Sequence, residues 1–298
     1  MGGISLLAKV NEKIVRDEEA SISVFDRGLV YGDGAFEAIR LYEANIFRLK
    51  SHLARLKSSL EYLGIDVDIK SIQDSVLELV RLNKVKNAYI RIIITRGQGP
   101  YGVNPSNSKG PTIIITMVDR PPLFLKTPTA SACFVPFVQN IPSALDPSKK
   151  TLNYINKVLS SRYAISKGYD FPIISNLQGF ITESGSENIF IIDGSKIRTP
   201  PVSDGLLEGI TRDTVLVILK KLKKDVMISH IRKEDLINSD SILLTGTSAG
   251  IIRINRIEDK ILPEVSTKLV EEIISNYLDS LRGNNDLFNN DSFKVDSY

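Results

Sequence analysis

Few residues in this chain could support catalysis by a metal ion or by a histidine-assisted nucleophile. The 298 residues include two histidines, His52 and His230, one cysteine, Cys133, and no tryptophan. A single cysteine excludes an intramolecular disulfide, and two histidines are too few for a multi-histidine metal site within one chain. Chemistry must therefore rely on Lys, Arg, Glu, Asp, Tyr, backbone donors or a borrowed cofactor.

Four segments combine such side chains with glycines and turn residues. In chain order they are DRGLVYGDGAFE at 26–37, KTLNY at 150–154, TESGSENIF at 182–190, and GITRD at 209–213 with the later TGTSA at 245–249. Each segment alone is moderately specific, whereas the ordered set is highly specific.

In this order the segments resemble the class IV aminotransferases, a family that includes branched-chain aminotransferase, D-amino-acid aminotransferase and aminodeoxychorismate lyase. The resemblance runs from about Val10 to Leu281. It implies pyridoxal 5'-phosphate as the cofactor. It also implies a two-domain α+β/α/β architecture, the type IV pyridoxal-phosphate (D-amino-acid aminotransferase-like) fold, with the cofactor between the domains.

The resemblance makes Lys150 the catalytic lysine that carries the cofactor, because Leu152 and Asn153 follow it as they do in the family. A lysine amine can condense with the cofactor aldehyde, exchange for the substrate amine and then move a proton. Lys149 is the competing candidate, since some branched-chain members have one more residue between the anchor and the Asn. We favour Lys150.

The resemblance also gives Glu183 the role of partner to the ring nitrogen, where a carboxylate keeps the ring protonated and able to accept electrons. Glu187 is the alternative carboxylate, but it lies four residues further on, past a turn. Phosphate donors are expected at a helix N-terminus. The further cofactor-binding residues that the resemblance implies are Arg55, Tyr154, Ile210, Thr211 and Thr247. From its position off the leucine stripe alone, Arg55 would be a solvated residue.

Substrate contacts are expected from six residues: Tyr31, Phe36, Tyr89, Arg91, Ser248 and Ala249. Tyr89 and Arg91 are two apart on a predicted strand, so both point to one face. Tyr-Ile-Arg at this place resembles the branched-chain enzymes, in which the Arg meets the distal carboxylate of glutamate or 2-oxoglutarate. Ordinary core packing is the alternative for Tyr31 and Phe36.

Two departures bear on the substrate. The family usually has Glu where this chain has Gly250, which bears on the loop that would hold the substrate carboxylate. The D-specific enzymes carry basic residues and a His after Thr-Arg-Gly, whereas residues 98–105 contain neither. The Gly-Val-Asn-Pro run in that loop resembles the branched-chain type.

The predicted elements that would position these residues alternate between strands and helices. Leucines 49, 53, 56, 60 and 63 recur at helical spacing, and Gly64 follows as a stop signal. The other predicted helices span about 72–82, 152–166, 211–222 and 263–281. Strands are predicted at 4–10, 22–25, 35–42, 88–95, 112–118, 188–192, 196–199 and 241–244, and a long loop at 96–111.

The domain prediction places a small N-terminal α/β domain at 1–120 and an interdomain linker at 121–130, beginning at the Pro-Pro pair. A large cofactor-binding domain would span 131–283. The Asn-, Asp- and Ser-rich segment 284–298 is predicted to be a disordered tail.

The composition fits a soluble globular protein: hydrophobic residues make up 42%, charged residues 24%, and the net charge is +3. We expect a cytoplasmic homodimer or higher homo-oligomer that binds neither nucleic acid nor membrane. The expected reaction is transfer of the amino group from a branched-chain L-amino acid (Leu, Ile or Val) to 2-oxoglutarate, giving the 2-keto acid and L-glutamate. The alternatives are an aminodeoxychorismate lyase, a D-amino-acid aminotransferase, and a non-catalytic binding protein on the same fold.

Overall fold

The computed structural model describes residues 6–119, 129–263 and 268–295. The chain divides into two units. The first contains Met1–Pro121, Lys149–Asn153 and Asp279–Tyr298, and the second contains Pro122–Ser148 and Tyr154–Leu278. Most of the predicted linker lies outside the described residues, and its last two positions begin a strand.

The elements up to residue 138 are β1 (Leu7–Val10), β2 (Lys13–Arg16), α1 (Arg27–Tyr31), β3 (Gly34–Tyr42), β4 (Asn45–Ile46), α2 (Leu49–Leu63), α3 (Ile69–Asn83), β5 (Ala88–Thr95), β6 (Thr112–Val118) and β7 (Thr129–Val138). The remaining elements are α4 (Ile155–Ser166), β8 (Phe171–Ser175), β9 (Ile181–Glu183), β10 (Asn188–Asp193), β11 (Lys196–Thr199), α5 (Ile210–Lys221), β12 (Val226–Ile228), α6 (Lys233–Asn238), β13 (Ser241–Gly246), β14 (Gly250–Ile257), β15 (Lys260–Ile261), α7 (Lys268–Arg282) and β16 (Phe293–Lys294).

The first unit is built on a seven-stranded antiparallel sheet in the order β16-β4-β3-β5-β6-β1-β2. The leucine stripe of α2 packs on this sheet, with Leu49, Leu53, Leu56 and Leu60 buried in one apolar core with Ile39 and Ile90. Gly64 ends α2 in a left-handed conformation, which glycine adopts without steric cost. The periodicity of the leucines therefore identified the helix and its buried face.

The second unit contains a nine-stranded mixed sheet in the order β12-β11-β10-β13-β14-β7-β8-β9, with β15 paired to β14. Its β11–β12, β14–β7 and β7–β8 pairs are parallel. The central strands β10 and β13 are almost wholly buried, as their continuous apolar runs indicate. Helix α5 packs on β13, and α4 packs on β7 and β8.

Several elements differ from their predictions. Residues 22–25 form a turn rather than a strand, because Ser23 Oγ accepts a hydrogen bond from the Phe25 backbone and Asp26 then caps α1. The glycine-rich stretch that follows opens with the short helix α1. Helix α3 begins three residues earlier than predicted, where Asp68 accepts a hydrogen bond from the Lys70 backbone. Helix α4 begins only at Ile155.

The C-terminal segment also differs from its prediction. The segment from Asp279 belongs to the first unit, and its described residues include the end of α7 and the strand β16. Strand β16 pairs with β4, and Asp291 accepts hydrogen bonds from Arg48 Nε at 2.8 Å and the Ser51 backbone at 2.7 Å. Arg48 supplies no side-chain cap to α2, so Asp291 fills that role from a distant part of the chain. Composition alone does not reveal such a long-range partner.

Candidate functional site

Lys150 is fixed against strand β3 in the first unit. Its carbonyl accepts a hydrogen bond from the Phe36 backbone at 3.0 Å, and its own N–H donates to Ser59 Oγ at 2.9 Å. The residue is 9% exposed, and its Nζ lies 4.5 Å from the centre of the Phe36 ring. The structure therefore holds this amine in a largely dry position beside an aromatic face.

The neighbouring Lys149 has a different environment. Its Nζ donates a hydrogen bond to Ser58 Oγ at 2.8 Å, and the residue is only partly buried. The two candidate lysines thus differ in partner and in exposure, and Lys150 is the more buried.

Arg55 is bound to a buried carboxylate that the sequence analysis did not assign to the site. Its Nε donates to Glu37 Oε1 at 2.6 Å and its second terminal nitrogen donates to Oε2 at 2.9 Å. His52 Nδ1 lies 2.8 Å from the same Oε2. Glu37 has no solvent exposure, so the cation and the carboxylate form a bidentate buried pair. The solvated interpretation of Arg55 was wrong, while its role at a phosphate stays a prediction.

The charges in this cluster shift two pKa values. Burial would raise the pKa of Glu37, but Arg55 and His52 outweigh it and hold that pKa far below its usual range. Burial lowers the pKa of His52, and the neighbouring Glu37 only partly offsets this effect. Glu37 is therefore a carboxylate, and the neutral form of His52 is favoured.

The sequence contains a partial signal for this cluster, which places its members on facing surfaces without pairing them. Glu37 has the same strand parity as Ile39 and Leu41, which face the helices, so its side chain must enter the core. His52 and Arg55 are three residues apart and share a helix face that can reach it.

Three of the predicted substrate residues, Phe36, Tyr89 and Arg91, lie on strands β3 and β5. They occupy the face of the sheet opposite to that of Glu37. Arg91 is paired with Ala38, and its guanidinium carbon lies 5.4 Å from the centre of the Phe36 ring. Tyr89 is paired with Arg40, whose guanidinium carbon lies 5.3 Å from the tyrosine ring. Arg91 is exposed in the single chain, whereas Arg40 is buried. The two-residue spacing of Tyr89 and Arg91 correctly predicted that they share this face.

Tyr31 is tied to the long loop at 96–111. It is the last residue of α1, and its hydroxyl accepts a hydrogen bond from the Gly102 backbone at 2.7 Å. The guanidinium carbon of Arg27 lies 4.8 Å from the Tyr31 ring, and the same group donates to the carbonyls of Gly102 at 2.9 Å and Val103 at 3.0 Å. Side chains of α1 therefore hold the backbone of this loop.

In the second unit, Glu183 is a buried carboxylate with three donors. Its Oε1 accepts from Lys157 Nζ and from Gln139 Nε2, both at 2.5 Å, and its Oε2 accepts from the Leu207 backbone at 3.2 Å. Among the described residues, the carboxylate of Glu187, the alternative candidate, accepts only from the backbone and hydroxyl of its neighbour Ser186, at 3.0 Å and 2.6 Å. Sequence reasoning missed Lys157 and Gln139. Tyr154, another predicted cofactor residue, is the N-cap of α4, and Lys157 Nζ lies 5.8 Å from its ring centre.

The predicted phosphate helix begins where the sequence analysis placed it. Helix α5 starts at Ile210 and Thr211, and its N-cap Gly209 has no side chain to cap the first N–H groups. A Cβ at position 209 would lie 1.9 Å from Asn188 Oδ1, so a larger residue would have to displace the Asn188 side chain, which donates to the Leu207 carbonyl at 2.9 Å. The side chain of Arg212, also in the first turn, donates to Thr199 Oγ1 at 3.1 Å and to the Pro200 carbonyl at 2.9 Å. This helix end can therefore present backbone donors to an anion.

The turn between β13 and β14 consists of Thr247, Ser248 and Ala249. It is closed by the pairing of Gly246 with Gly250, and Gly250 has a φ of 74°. A glutamate at that position would be strained by about 1–2 kcal/mol, so glycine suits the turn as it is built here.

Some buried hydroxyls have no hydrogen-bond partner within the described ranges, and two of them lie beside predicted site residues. They belong to Ser184, next to Glu183, and to Thr245, two residues before Thr247. Since buried polar groups are normally paired, these hydroxyls fit a segment that is completed by a polar ligand. The chemistry of the donor set also fits pyridoxal phosphate, with a buried amine, a buried carboxylate and a helix N-terminus.

No group of three or more His, Cys, Asp or Glu side chains in residues 6–119, 129–263 and 268–295 could hold a metal ion. Over the same ranges, no helix has the length and apolar character needed to cross a membrane.

The sequence and the fold were compared with known proteins. The family model for amino-transferase class IV matches residues 34–257. A Methanocaldococcus jannaschii protein with the provisional name branched-chain-amino-acid aminotransferase is 36% identical, covering 88% of this chain and 93% of its own length. The D-alanine aminotransferase of Staphylococcus epidermidis is 30% identical, with 84% and 88% covered. The branched-chain aminotransferase of Thermoproteus uzoniensis, solved with norvaline, has a TM-score of 0.91 and 28% identity, with 97% and 99% covered.

Proposed function

The chain belongs to the amino-transferase class IV family, and from this premise we propose that it is a pyridoxal-phosphate-dependent branched-chain-amino-acid aminotransferase. It would transfer the amino group of Leu, Ile or Val to 2-oxoglutarate and release the 2-keto acid and L-glutamate. The observation that carries this proposal is the buried Lys150 amine beside Phe36, in a chain whose similar relatives and structures are mostly named for this activity.

The residues in each unit suit one part of the cofactor. Lys150 would hold it covalently, and Glu183 would accept a hydrogen bond from its ring nitrogen. Arg55, the first N–H groups of α5 at Ile210 and Thr211, and Thr247 would bind its phosphate. Tyr154 would contact the ring. When bound, pyridoxal phosphate supplies an electron-poor ring that takes up the electron pair left at the substrate α-carbon.

The protein's own contribution is to position the substrate and move its proton. Lys150 Nζ is the group that would take the α-proton and return it, and its low exposure keeps bulk water from competing for that proton. Tyr31, Phe36, Tyr89 and Arg91 would contact the side chain of the substrate, while Ser248 and Ala249 would contact its α-carboxylate.

The identity of the lysine can be tested directly. We expect Lys150→Ala to abolish both turnover and the visible absorbance of the bound cofactor, while Lys149→Ala retains both, because only Lys150 is buried against β3. Borohydride reduction of the wild-type enzyme followed by peptide mass spectrometry should find the cofactor on Lys150. A label on Lys149 would overturn the assignment.

The relative named D-alanine aminotransferase supports D-amino-acid transamination as a second candidate. Half-reactions with individual L- and D-amino acids, followed by conversion of the cofactor to pyridoxamine phosphate, separate the two candidates. We expect conversion with L-leucine, L-isoleucine, L-valine and L-glutamate. Conversion with D-alanine alone would favour the second candidate, and turnover without a keto acid would indicate a lyase.

Arg91 should govern the dicarboxylate half of the reaction. The proposed site must accept a branched aliphatic side chain and then a distal carboxylate, whose burial is costly without a cation. Arg91→Met keeps an unbranched apolar side chain and removes the guanidinium and its charge. We expect the glutamate half-reaction to weaken by about 2–5 kcal/mol and the leucine half-reaction to change much less. Equal losses would make Arg91 a structural residue.

We also propose, from family membership alone, that the protein is a cytoplasmic homodimer. Size-exclusion chromatography with light scattering measures the assembly, and a monomer with full activity would contradict the dimer. Fractionation of the source cells measures the location.

A further inference from the structure

A lysine that the proposed mechanism does not use lies on the carboxylate of Glu183. Lys157 is in the first turn of α4, its side chain is 12% exposed, and its Nζ is 2.5 Å from Glu183 Oε1. Glu183 itself is 3% exposed. Because both charges are largely removed from water, each determines the electrostatic environment of the other.

The remaining contacts of the carboxylate are unevenly distributed. Gln139 Nε2 donates to the same Oε1 at 2.5 Å, whereas Oε2 accepts only the Leu207 N–H, at 3.2 Å, within the described part of the chain. A carboxylate offers about four acceptor sites, two on each oxygen. Oε1 is thus saturated, and one site on Oε2 remains for a further donor.

We propose that Lys157 is a positioning residue that occupies Oε1 of Glu183 together with Gln139, so that Oε2 is left for the ring nitrogen of the cofactor, and that its charge weakens this second contact. This inference rests on the proposed function. A protonated ring nitrogen and an ammonium group are like charges that share one carboxylate, so each lowers the affinity of the carboxylate for the other. The charge of Lys157 therefore limits the strength of the hydrogen bond between Glu183 Oε2 and the ring nitrogen.

The test compares two cofactors that differ at one atom. The 1-deaza analogue of pyridoxal phosphate has C–H in place of the ring nitrogen, so it keeps the phosphate and the aldehyde but cannot bond to Glu183. The ratio of its Kd to that of pyridoxal phosphate isolates the contact to the ring nitrogen, because all other contributions cancel.

The informative variant is Lys157→Met, which keeps most of the length of the side chain and removes its charge. We expect the Kd ratio to rise by about threefold to tenfold relative to wild type, within the range of charge-assisted contacts. Lys167→Met, at the exposed end of the same helix, is the matched control and should leave the ratio unchanged. If Lys157 had only a structural role, Lys157→Met would weaken the binding of both cofactors equally and leave the Kd ratio unchanged. An unchanged or lower Kd ratio therefore overturns the proposal.

A second measurement uses the apoprotein and needs no cofactor. The midpoint of thermal unfolding, Tm, is compared for wild type, Lys157→Met, Glu183→Gln and the double variant. We expect Lys157→Met to lower Tm, and to lower it less when position 183 is already neutral, because no buried carboxylate is then left unpaired. Strictly additive changes would overturn the pairing.

These outcomes distinguish the inference from its premise. A wild-type chain that binds neither cofactor would overturn the proposed function and this role with it. A wild type that binds pyridoxal phosphate tightly, with an unchanged ratio in Lys157→Met, would overturn the role of Lys157 alone.

Discussion

The two units each bury a glutamate next to cations, but the pairs are built in opposite ways. In the first unit, Glu37 accepts two hydrogen bonds from Arg55 and lies against His52, so its partners beyond its own strand in the described chain come from one helix, α2. In the second unit, the partners of Glu183 come from three separate segments, through Gln139, Lys157 and Leu207.

The difference indicates which member of each pair is available for chemistry. Glu37 has no exposure and directs the guanidinium of Arg55, so in the first unit the carboxylate orients the cation. Glu183 keeps an acceptor site on Oε2, so in the second unit the cation orients the carboxylate. We infer that Glu37 supports the site through Arg55, and that Glu183 is the carboxylate that would meet the cofactor.

Replacing each glutamate by glutamine is expected to give the largest effects, and it tests directly whether the two carboxylates have different roles. Glu37→Gln leaves Arg55 without its buried counter-charge, and we expect the free energy of unfolding to fall by about 3–5 kcal/mol. Glu183→Gln removes the charge proposed to keep the ring nitrogen protonated. We expect turnover to fall about a thousandfold, equivalent to about 4 kcal/mol of barrier, with a smaller loss of stability.

Denaturant unfolding and steady-state kinetics on both variants check this prediction. Each variant is the control for the other, since the chemical change is the same. If Glu183→Gln kept near-normal turnover, Glu183 would have no part in the mechanism. If Glu37→Gln retained wild-type stability, the pair with Arg55 would contribute nothing measurable.

The surroundings of Glu37 and Glu183 could be predicted from the sequence only where the interacting residues are close along the chain. Local signals were reliable: leucine spacing identified α2, and Gly209 before Ile210 marked the start of α5. Glu183 was selected because a motif surrounds it. Glu37 also lies in a quoted motif, but its role depends on a helix 15 residues away that no local pattern connects to it.

The same limit applies to other long-range contacts. Lys157 reaches Glu183 across 26 residues, and Asp291 caps α2 from 240 residues away. Periodicity and turn signals describe neighbours along the chain, so such pairs require the tertiary structure. The predicted disorder of the C-terminal segment failed for this reason, because its polar composition hides specific acceptors.

The smallest predicted effect concerns pH, because within the described chain Glu37 has a histidine partner and Glu183 does not. Burial lowers the pKa of His52 below the value of about 6.5 expected in the unfolded chain. As the pH falls through about 6.5, the unfolded state takes up a proton that the folded state does not yet bind. The free energy of unfolding should therefore decrease on acidification, by at most about 1.4 kcal/mol per pH unit, until the folded pKa is reached.

His52→Asn places an amide nitrogen near the position of Nδ1, so it can still donate to Glu37 but cannot titrate. We expect urea unfolding between about pH 7.5 and 5 to show a shallower loss of stability in this variant than in wild type. His230→Asn measures the contribution of the other histidine to the same slope. A wild-type protein that became more stable on acidification, with this gain lost in His52→Asn, would mean that Glu37 holds His52 protonated and that its charge outweighs burial. In that case two cations, Arg55 and protonated His52, would hold the Glu37 carboxylate, whereas a single cation, Lys157, holds that of Glu183 within the described chain.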